Sequence, residues 1–160
     1  MTVYELQRET FIPRPLPEVF QFFSEARNLG TITPVFLHFR MLTPEPVAMH
    51  SGTELRYTLR VHGIPVRWKT RIETWDPPHG FTDFQERGPY SLWHHTHRFQ
   101  EVEGGTRMED VVRYALPLGV LGRAVHWLWV RRDVKSIFDY REERIKELFG
   151  GPGKTPDQQT

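Results

Sequence analysis

The chain has 160 residues, 21 basic and 20 acidic side chains for a formal +1, and no cysteine. That length suits one domain with a sizeable core and no covalent staples. The charge balance lacks the clustered basic excess of a nucleic-acid binder, and disulfides, thiolate catalysis and thiolate zinc sites are excluded. Aromatic residues reach 13%, with five Trp and eleven Phe, against 38% hydrophobic residues in all. The apolar mass is thus concentrated in large rings that suit the lining of a wide surface.

Residues 1–10, MTVYELQRET, lack the apolar region of a secretory signal. No stretch approaches the roughly 20 apolar residues of a membrane span. The longest apolar run, Ala124–Val130, is broken by His126 and closed by Arg131 and Arg132. A cytoplasmic protein with no integral membrane association and no nucleic-acid partner is expected.

Val3–Ile12 reads as a strand that stops at Pro13-Arg14-Pro15. Leu16, Val19, Phe20 and Phe23 then follow at helical spacing, which predicts a short helix over Leu16–Ser24. A broken second turn, Glu25–Leu29, ends at Gly30. Thr33-Pro34 then releases the chain into an extended run, Phe36–Leu42. From Gly52 the period becomes two. Leu55, Tyr57, Leu59 and Val61 alternate with charged or polar residues, and after His62-Gly63 so do Val66, Trp68, Thr70 and Ile72. Two such runs around an X-Gly pair predict a hairpin. In its register Tyr57 faces Trp68, Leu59 faces Val66, and Glu54 faces Arg71, so apolar meets apolar on one side and opposite charges meet on the other.

Asp76-Pro77-Pro78-His79-Gly80, Gly88-Pro89 and Glu103-Gly104 read as turns between strands Phe81–Arg87, Leu92–Val102 and Thr106–Ala115. A two-residue turn at Glu103-Gly104 sets Trp93 against Tyr114, His95 against Val112, His97 against Asp110 and Phe99 against Met108. For the preceding pair, one register sets Trp75 against Gly80, Ile72 against Asp83, Thr70 against Gln85 and Trp68 against Arg87. It is supported by Lys69 then opposing Glu86; a one-residue shift would put Phe84 inward instead. After Pro117 a stripe of Leu121, Val125, Leu128, Val134, Ile137/Phe138, Ile145 and Leu148 predicts a helix of roughly 28 residues, about 42 Å long. Residues 1–149 form one expected domain. Residues 150–160, rich in Gly, Pro and Gln, form an expected disordered tail; their resemblance to a phosphate-binding loop has no strand before it and no helix after it.

This order is α+β, with helices segregated from an antiparallel sheet. Together with Phe11-Ile12-Pro13-Arg14-Pro15, Gly104-Gly105-Thr106-Arg107-Met108 and Tyr114-Ala115-Leu116-Pro117, it resembles the helix-grip superfamily of START lipid-transfer, birch-pollen-allergen-like and polyketide cyclase/dehydrase proteins (the SRPBCC superfamily). Gly88–Phe99, GPYSLWHHTHRF, is similar to a bacterial ligand-binding subgroup of it. The resemblance implies a curved sheet of about six to seven strands wrapped on a long C-terminal helix, with two short helices after the first strand. It also implies a cavity for a small hydrophobic molecule, with no cofactor.

The residues offer candidates for such a cavity. Leu55, Tyr57, Leu59 and Trp68 form an expected apolar wall, and Thr70, Asp83, Gln85, His95, His97 and Asp110 a polar strip, with Trp93, Val112 and Tyr114 beside it. His97 opposite Asp110 places an imidazole and a carboxylate within hydrogen-bond reach, the elements of a general acid–base pair; the plain alternative is a satisfied polar pair inside a sheet. In an enzyme, Tyr57 or Gln85 would steady an oxyanion. His95 and His97 with Asp110 also offer a two-histidine, one-carboxylate set. Short His spacings arise by chance among eight histidines, so no metal is expected. Trp127 and Trp129 beside Arg123, Arg131, Arg132 and Lys135 read as core rings with a solvated flank, or else as a membrane-touching face. Three functions remain open: a binder of lipid-, polyketide- or isoprenoid-like molecules, a cofactor-free cyclase, dehydratase or isomerase, and a protein-interaction module.

Overall fold

The computed structural model describes residues 1–150. Strand β1 (Tyr4–Ile12) runs into Pro13, and helix α1 (Leu16–Ser24) follows with the predicted bounds, burying Leu16, Val19 and Phe20. The second helix departs from expectation. It spans Asn28–Thr31 (α2) and runs through Gly30 instead of ending there: Asn28 Nδ2 donates to Phe22 O at 2.8 Å at its start, and the Ile32 and Thr33 amides donate to Asn28 O and Gly30 O beyond the glycine. The extended run expected over Phe36–Leu42 is also corrected. A single 3₁₀ turn occupies Val35–Leu37, His38 takes a left-handed conformation (φ 47°), and only Arg40–Met41 pairs as β2. The left-handed residue breaks the extension, so Leu37 is buried while Phe36 faces out.

Strands β3 (Glu54–Val61), β4 (Ile64–Asp76), β5 (Gly80–Arg87), β6 (Leu92–Val102) and β7 (Gly105–Ala115) complete a seven-stranded antiparallel sheet. Its order is β1-β7-β6-β5-β4-β3-β2, a meander whose first strand returns to pair with the last. The β3–β4 hairpin has the predicted register throughout. Its two-residue turn needs positive φ at both positions, and His62 (50°) and Gly63 (79°) supply them. The β6–β7 register is also as predicted, with His97 opposite Asp110. Between β4 and β5 the central pairs Thr70–Gln85 and Ile72–Asp83 are as expected, but bulges on either side give Trp75–Phe81 and Lys69–Arg87 in place of Trp75–Gly80 and Trp68–Arg87. Each bulge inserts one unpaired residue, and Lys69 still reaches Glu86 in an outer-face network with Glu54 and Arg71.

The C-terminal helix crosses the concave face as one run: α3 (Gly119–Val125), a π-helical turn His126–Val130, and α4 (Arg131–Phe149). Gly122, His126, Val134 and Phe138 are buried along it, a spacing in multiples of four. Four residues of α-helix advance about 40° beyond a full turn, so such a row drifts off the sheet; the wider π turn takes up the drift. The stripe expected through Leu121, Val125 and Leu128 is therefore wrong in that half: Leu121 and Leu128 are exposed. Trp127 and Trp129, expected as core, are 78% and 55% exposed. Gly122 takes the close approach because a Cβ there would strike the Pro117 carbonyl. Among the described residues no helix is long and apolar enough to cross a membrane. Apart from Gly150, the tail expected after Phe149 lies outside the described residues.

Candidate functional site

Alternation along β6 turns Trp93, His95, His97 and Phe99 toward the helix and sends His94 to the outer face, where it meets Glu73 at 2.9 Å. The bulge after Ile72 keeps Asp83 on the inner face beside His95 and His97, although the ends of β5 have slipped. From β7, Asp110 points inward between Met108 and Val112 and is 3% exposed. Four titratable groups from three adjacent strands thus meet at the centre of the concave face.

They form a closed ring. His95 Nε2 lies 2.9 Å from Asp110 Oδ1, and His97 Nε2 lies 2.9 Å from Asp83 Oδ2. His97 Nδ1 is 3.0 Å from the same Asp110 oxygen but out of line, so this buried nitrogen has no hydrogen bond. His95 Nδ1 faces Asp83 Oδ2 at 4.0 Å. The imidazoles lie 3.7 Å apart between centroids; Phe81 stacks on His97 at 4.1 Å and Phe138 meets His95 edge-on at 5.4 Å. The predicted His97–Asp110 juxtaposition is present as strand pairing, but the in-line partner of Asp110 is His95 and that of His97 is Asp83.

The electrostatics follow from this packing. Burial works to raise both carboxyls, yet the histidines outweigh it: Asp110 is held well below the usual carboxylate range by His95 and His97, and Asp83 is lowered chiefly by His97. Burial, reinforced by the charge of His97, pushes His95 down to about 4. Burial also opposes charge on His97, but the two carboxylates prevail and hold it above the ordinary histidine value. A neutral His95 must donate from Nε2 to ionised Asp110, which leaves its Nδ1 lone pair toward Asp83.

A cavity of about 440 Å³ lies between the sheet and the C-terminal helix, within the usual range for small-molecule sites. Of the candidates named from sequence, Leu55, Tyr57, Leu59, Trp68, Thr70, Asp83, Trp93, His95 and His97 line it. The other four do not. Gln85 is withdrawn to hold the Gly88-Pro89 turn, donating Nε2–H to Tyr90 O at 2.7 Å and accepting from Tyr90 N at 3.2 Å. Asp110 stands behind the histidines, and Val112 and Tyr114 pack with Val134 and Phe138 under the helix. Tyr57 is available only as a neutral hydroxyl: burial pushes its phenol up, and it shares a 3.1 Å hydrogen bond with Thr70.

Sequence reasoning missed the helical wall. Phe22, Phe23, Leu29 and Ile32 close the cavity from α1 and the segment after it, and Phe138 and Arg141 from α4. Arg141 lies 5.0 Å above the Phe138 ring and lowers Asp83 by its charge. Among the described residues it forms no ion pair within 4 Å, and its Nε is buried without a hydrogen bond, as is Trp68 Nε1. The signal was there: Arg141 falls on the buried face, between Phe138 and Ile145. Buried N–H groups normally have partners; both of these belong to side chains that line the cavity.

No protein-family model matches the chain, and no curated protein does. Solved structures do. TTHA0849 from Thermus thermophilus superposes with a TM-score of 0.63 at 23% identity, over 91% of this chain and 99% of that one. The di-domain ARO/CYC BexL from the BE-7585A biosynthetic pathway gives 0.71 at 18% identity, over 94% of this chain and 51% of that one. Ara h 8.0201 gives 0.60 at 14% identity, over 91% and 99%. At these identities the likeness concerns architecture: the chain has the helix-grip fold that its sequence resembles.

Proposed function

We propose that this protein encloses a small, mostly hydrophobic molecule, lipid-, polyketide- or isoprenoid-like, in the cavity between sheet and C-terminal helix. The observation that carries this reading is the division of the cavity wall. Rings and aliphatic groups from β3, β4, α1 and α4 surround one charged pole made of Asp83, His95, His97 and Arg141. An apolar wall with a few convergent polar groups is the usual build of a ligand site. The cationic Arg141 and the Trp68 indole in this wall suit a ligand with a carboxylate or carbonyl group on its apolar body. The fold shared with Ara h 8.0201 and BexL is compatible with such a site but selects no ligand.

Acid–base chemistry by His97 and Asp110 has one observation in its favour, an imidazole in the cavity wall that Asp110 and Asp83 bias toward its protonated form. Two count against it. The Nε2 of His97 is already engaged by Asp83, and Gln85, one expected oxyanion donor, is tied to Tyr90. Binding is therefore the better-supported function.

Native mass spectrometry of the full chain, purified without denaturation, tests it directly: a copurifying organic molecule of a few hundred daltons is expected. In parallel, the anionic dye 1-anilinonaphthalene-8-sulfonate is expected to saturate one site and to lose affinity tenfold or more, about 1.4 kcal/mol, in folded Trp68→Ala and Arg141→Gln variants. Dye binding indifferent to both substitutions, with no copurifying molecule, would rule the cavity out as a binding site. Turnover of any identified ligand that vanishes in His97→Gln while affinity persists would restore the enzymatic reading.

A further inference from the structure

The polar pole of the cavity has the form of a coordination site. Asp83, His95 and His97 each present one donor atom, and these three atoms lie within 4.8 Å of one another. The nitrogens nearest Asp83 Oδ2 are His97 Nε2 at 2.9 Å and His95 Nδ1 at 4.0 Å. Ligands bound at about 2.1 Å from a first-row ion stand about 3.0 Å apart at an octahedral right angle and about 3.4 Å apart at a tetrahedral one. The Asp83–His97 pair already has that separation; His95 Nδ1 must close from 4.0 Å, and the two imidazole nitrogens lie within 4.8 Å of each other.

Behind the triad, Asp110 faces both rings. Its Oδ1 lies 2.9 Å from His95 Nε2 and 3.0 Å from His97 Nδ1, the nitrogens turned away from Asp83. A buried carboxylate behind a histidine fixes which nitrogen carries the proton and frees the other for a metal. Here one carboxylate serves two histidines, and the unbonded His97 Nδ1 gains its in-line partner if the ring tilts toward an ion. Asp83, His95 and His97 line the cavity, whereas Asp110 does not, so coordination positions opposite the triad open onto the space where a ligand would lie.

We propose that Asp83, His95 and His97 bind one divalent first-row transition ion, with Asp110 positioning both imidazoles and the remaining coordination positions facing the cavity. Two imidazoles and one carboxylate form a donor set suited to Fe²⁺, Co²⁺ or Zn²⁺ and poorly matched to Ca²⁺ or Mg²⁺. The matching ligand class is a hydrophobic molecule with an oxygen donor, such as a carboxylate, hydroxyl or carbonyl. The metal site does not rest on the binding function proposed above: a protein that binds the dye but no metal leaves that function standing. It does displace the acid–base role of His97, because coordination and the contact to Asp110 occupy both ring nitrogens.

The test uses the full chain stripped with a chelator and titrated with Co²⁺, followed by its visible d–d absorption. One equivalent is expected to bind and to be displaced by Zn²⁺. His97→Gln and Asp83→Asn should abolish binding, Asp110→Asn should weaken it about 10–100-fold, and His94→Gln on the outer face should leave it unchanged. Because substitutions in this buried cluster can unfold the chain, paramagnetic broadening of wild-type amide resonances by Co²⁺ locates the ion without any variant. Broadening centred on residues 83, 95 and 97 supports the site. Broadening centred on the exposed histidines, binding that survives His97→Gln, or no uptake at all overturns it.

Discussion

The two halves of the C-terminal helical run share one axis but meet the sheet in opposite ways. In α4 the large apolar groups face inward, with Val134, Phe138, Ile145 and Phe149 all buried. Its outer face is laced with ion pairs, and Asp139 and Glu142 clasp Arg8 of β1. From Gly119 to Val130 the order reverses: Trp127, Leu128 and Trp129 face out, while a glycine and a histidine take the buried positions. Burial in this run is set by phase against the sheet, since a side chain's direction is fixed by its place in the helical turn. The difference also divides the labour. The α4 half grips the sheet and closes the cavity through Ile137, Phe138 and Arg141, whereas the preceding half has little apolar anchorage, the pattern of a region that opens at low cost.

The largest effect should come from breaking the grip. Ile145, fully buried in the closed end of the core, should cost about 2–5 kcal/mol when cut to Ala, read as a lower urea midpoint at unchanged slope. Hydrogen exchange should then sharpen the contrast, with amides of 119–130 exchanging faster than those of 131–149; equal protection would remove the proposed division.

A smaller effect should come from pH. His126 is stacked on Tyr4 at 3.4 Å, hydrogen-bonded to Tyr114 Oη at 3.0 Å and close to the charge of Arg131. Burial, with Arg131, holds it below the ordinary histidine value, so the docked state favours neutral imidazole. Its stabilisation is complete above the ordinary histidine value and lost as pH falls through it, because the undocked form takes up the proton first. Lowering the pH from 7.5 to 5.5 should reduce the protection of amides 119–130, taken relative to their intrinsic exchange rates at each pH, in the wild type but not in a folded His126→Gln variant. The smallest effect is expected at the exposed ring: Trp127→Ala should change stability by no more than about 0.5 kcal/mol, and a loss of several kcal/mol would show that this half is anchored after all.

Much of the fold was legible because its signals are local. A two-residue X-Gly turn and period-two alternation tie residues only a few positions apart, so the registers of β3–β4 and β6–β7, and the inward turn of His95 and His97, follow from the chain itself. The position of β1 at the far side of β7 is not local, and neither are the bulges that displace the ends of β5 while leaving Asp83 in place. The site was half legible for the same reason. Opposition of His97 and Asp110 is a matter of register, whereas their hydrogen-bond partners depend on ring tilt and on a third strand. Arg141 was passed over because a charged residue on a buried helical face gains meaning only when a cavity lies beneath it.

By itself, the sequence determined the α+β element order, two hairpin registers, and which ring-bearing and titratable groups share the concave side, since alternation and turn chemistry act over a few residues. Only the tertiary structure decided that Asp83 completes the histidine pair while Asp110 stands behind it, that Gln85 leaves the cavity, and that Trp127 and Trp129 face outward. Those outcomes depend on bulges and on the phase of a long helix laid across a curved sheet, where one inserted residue redirects every side chain that follows.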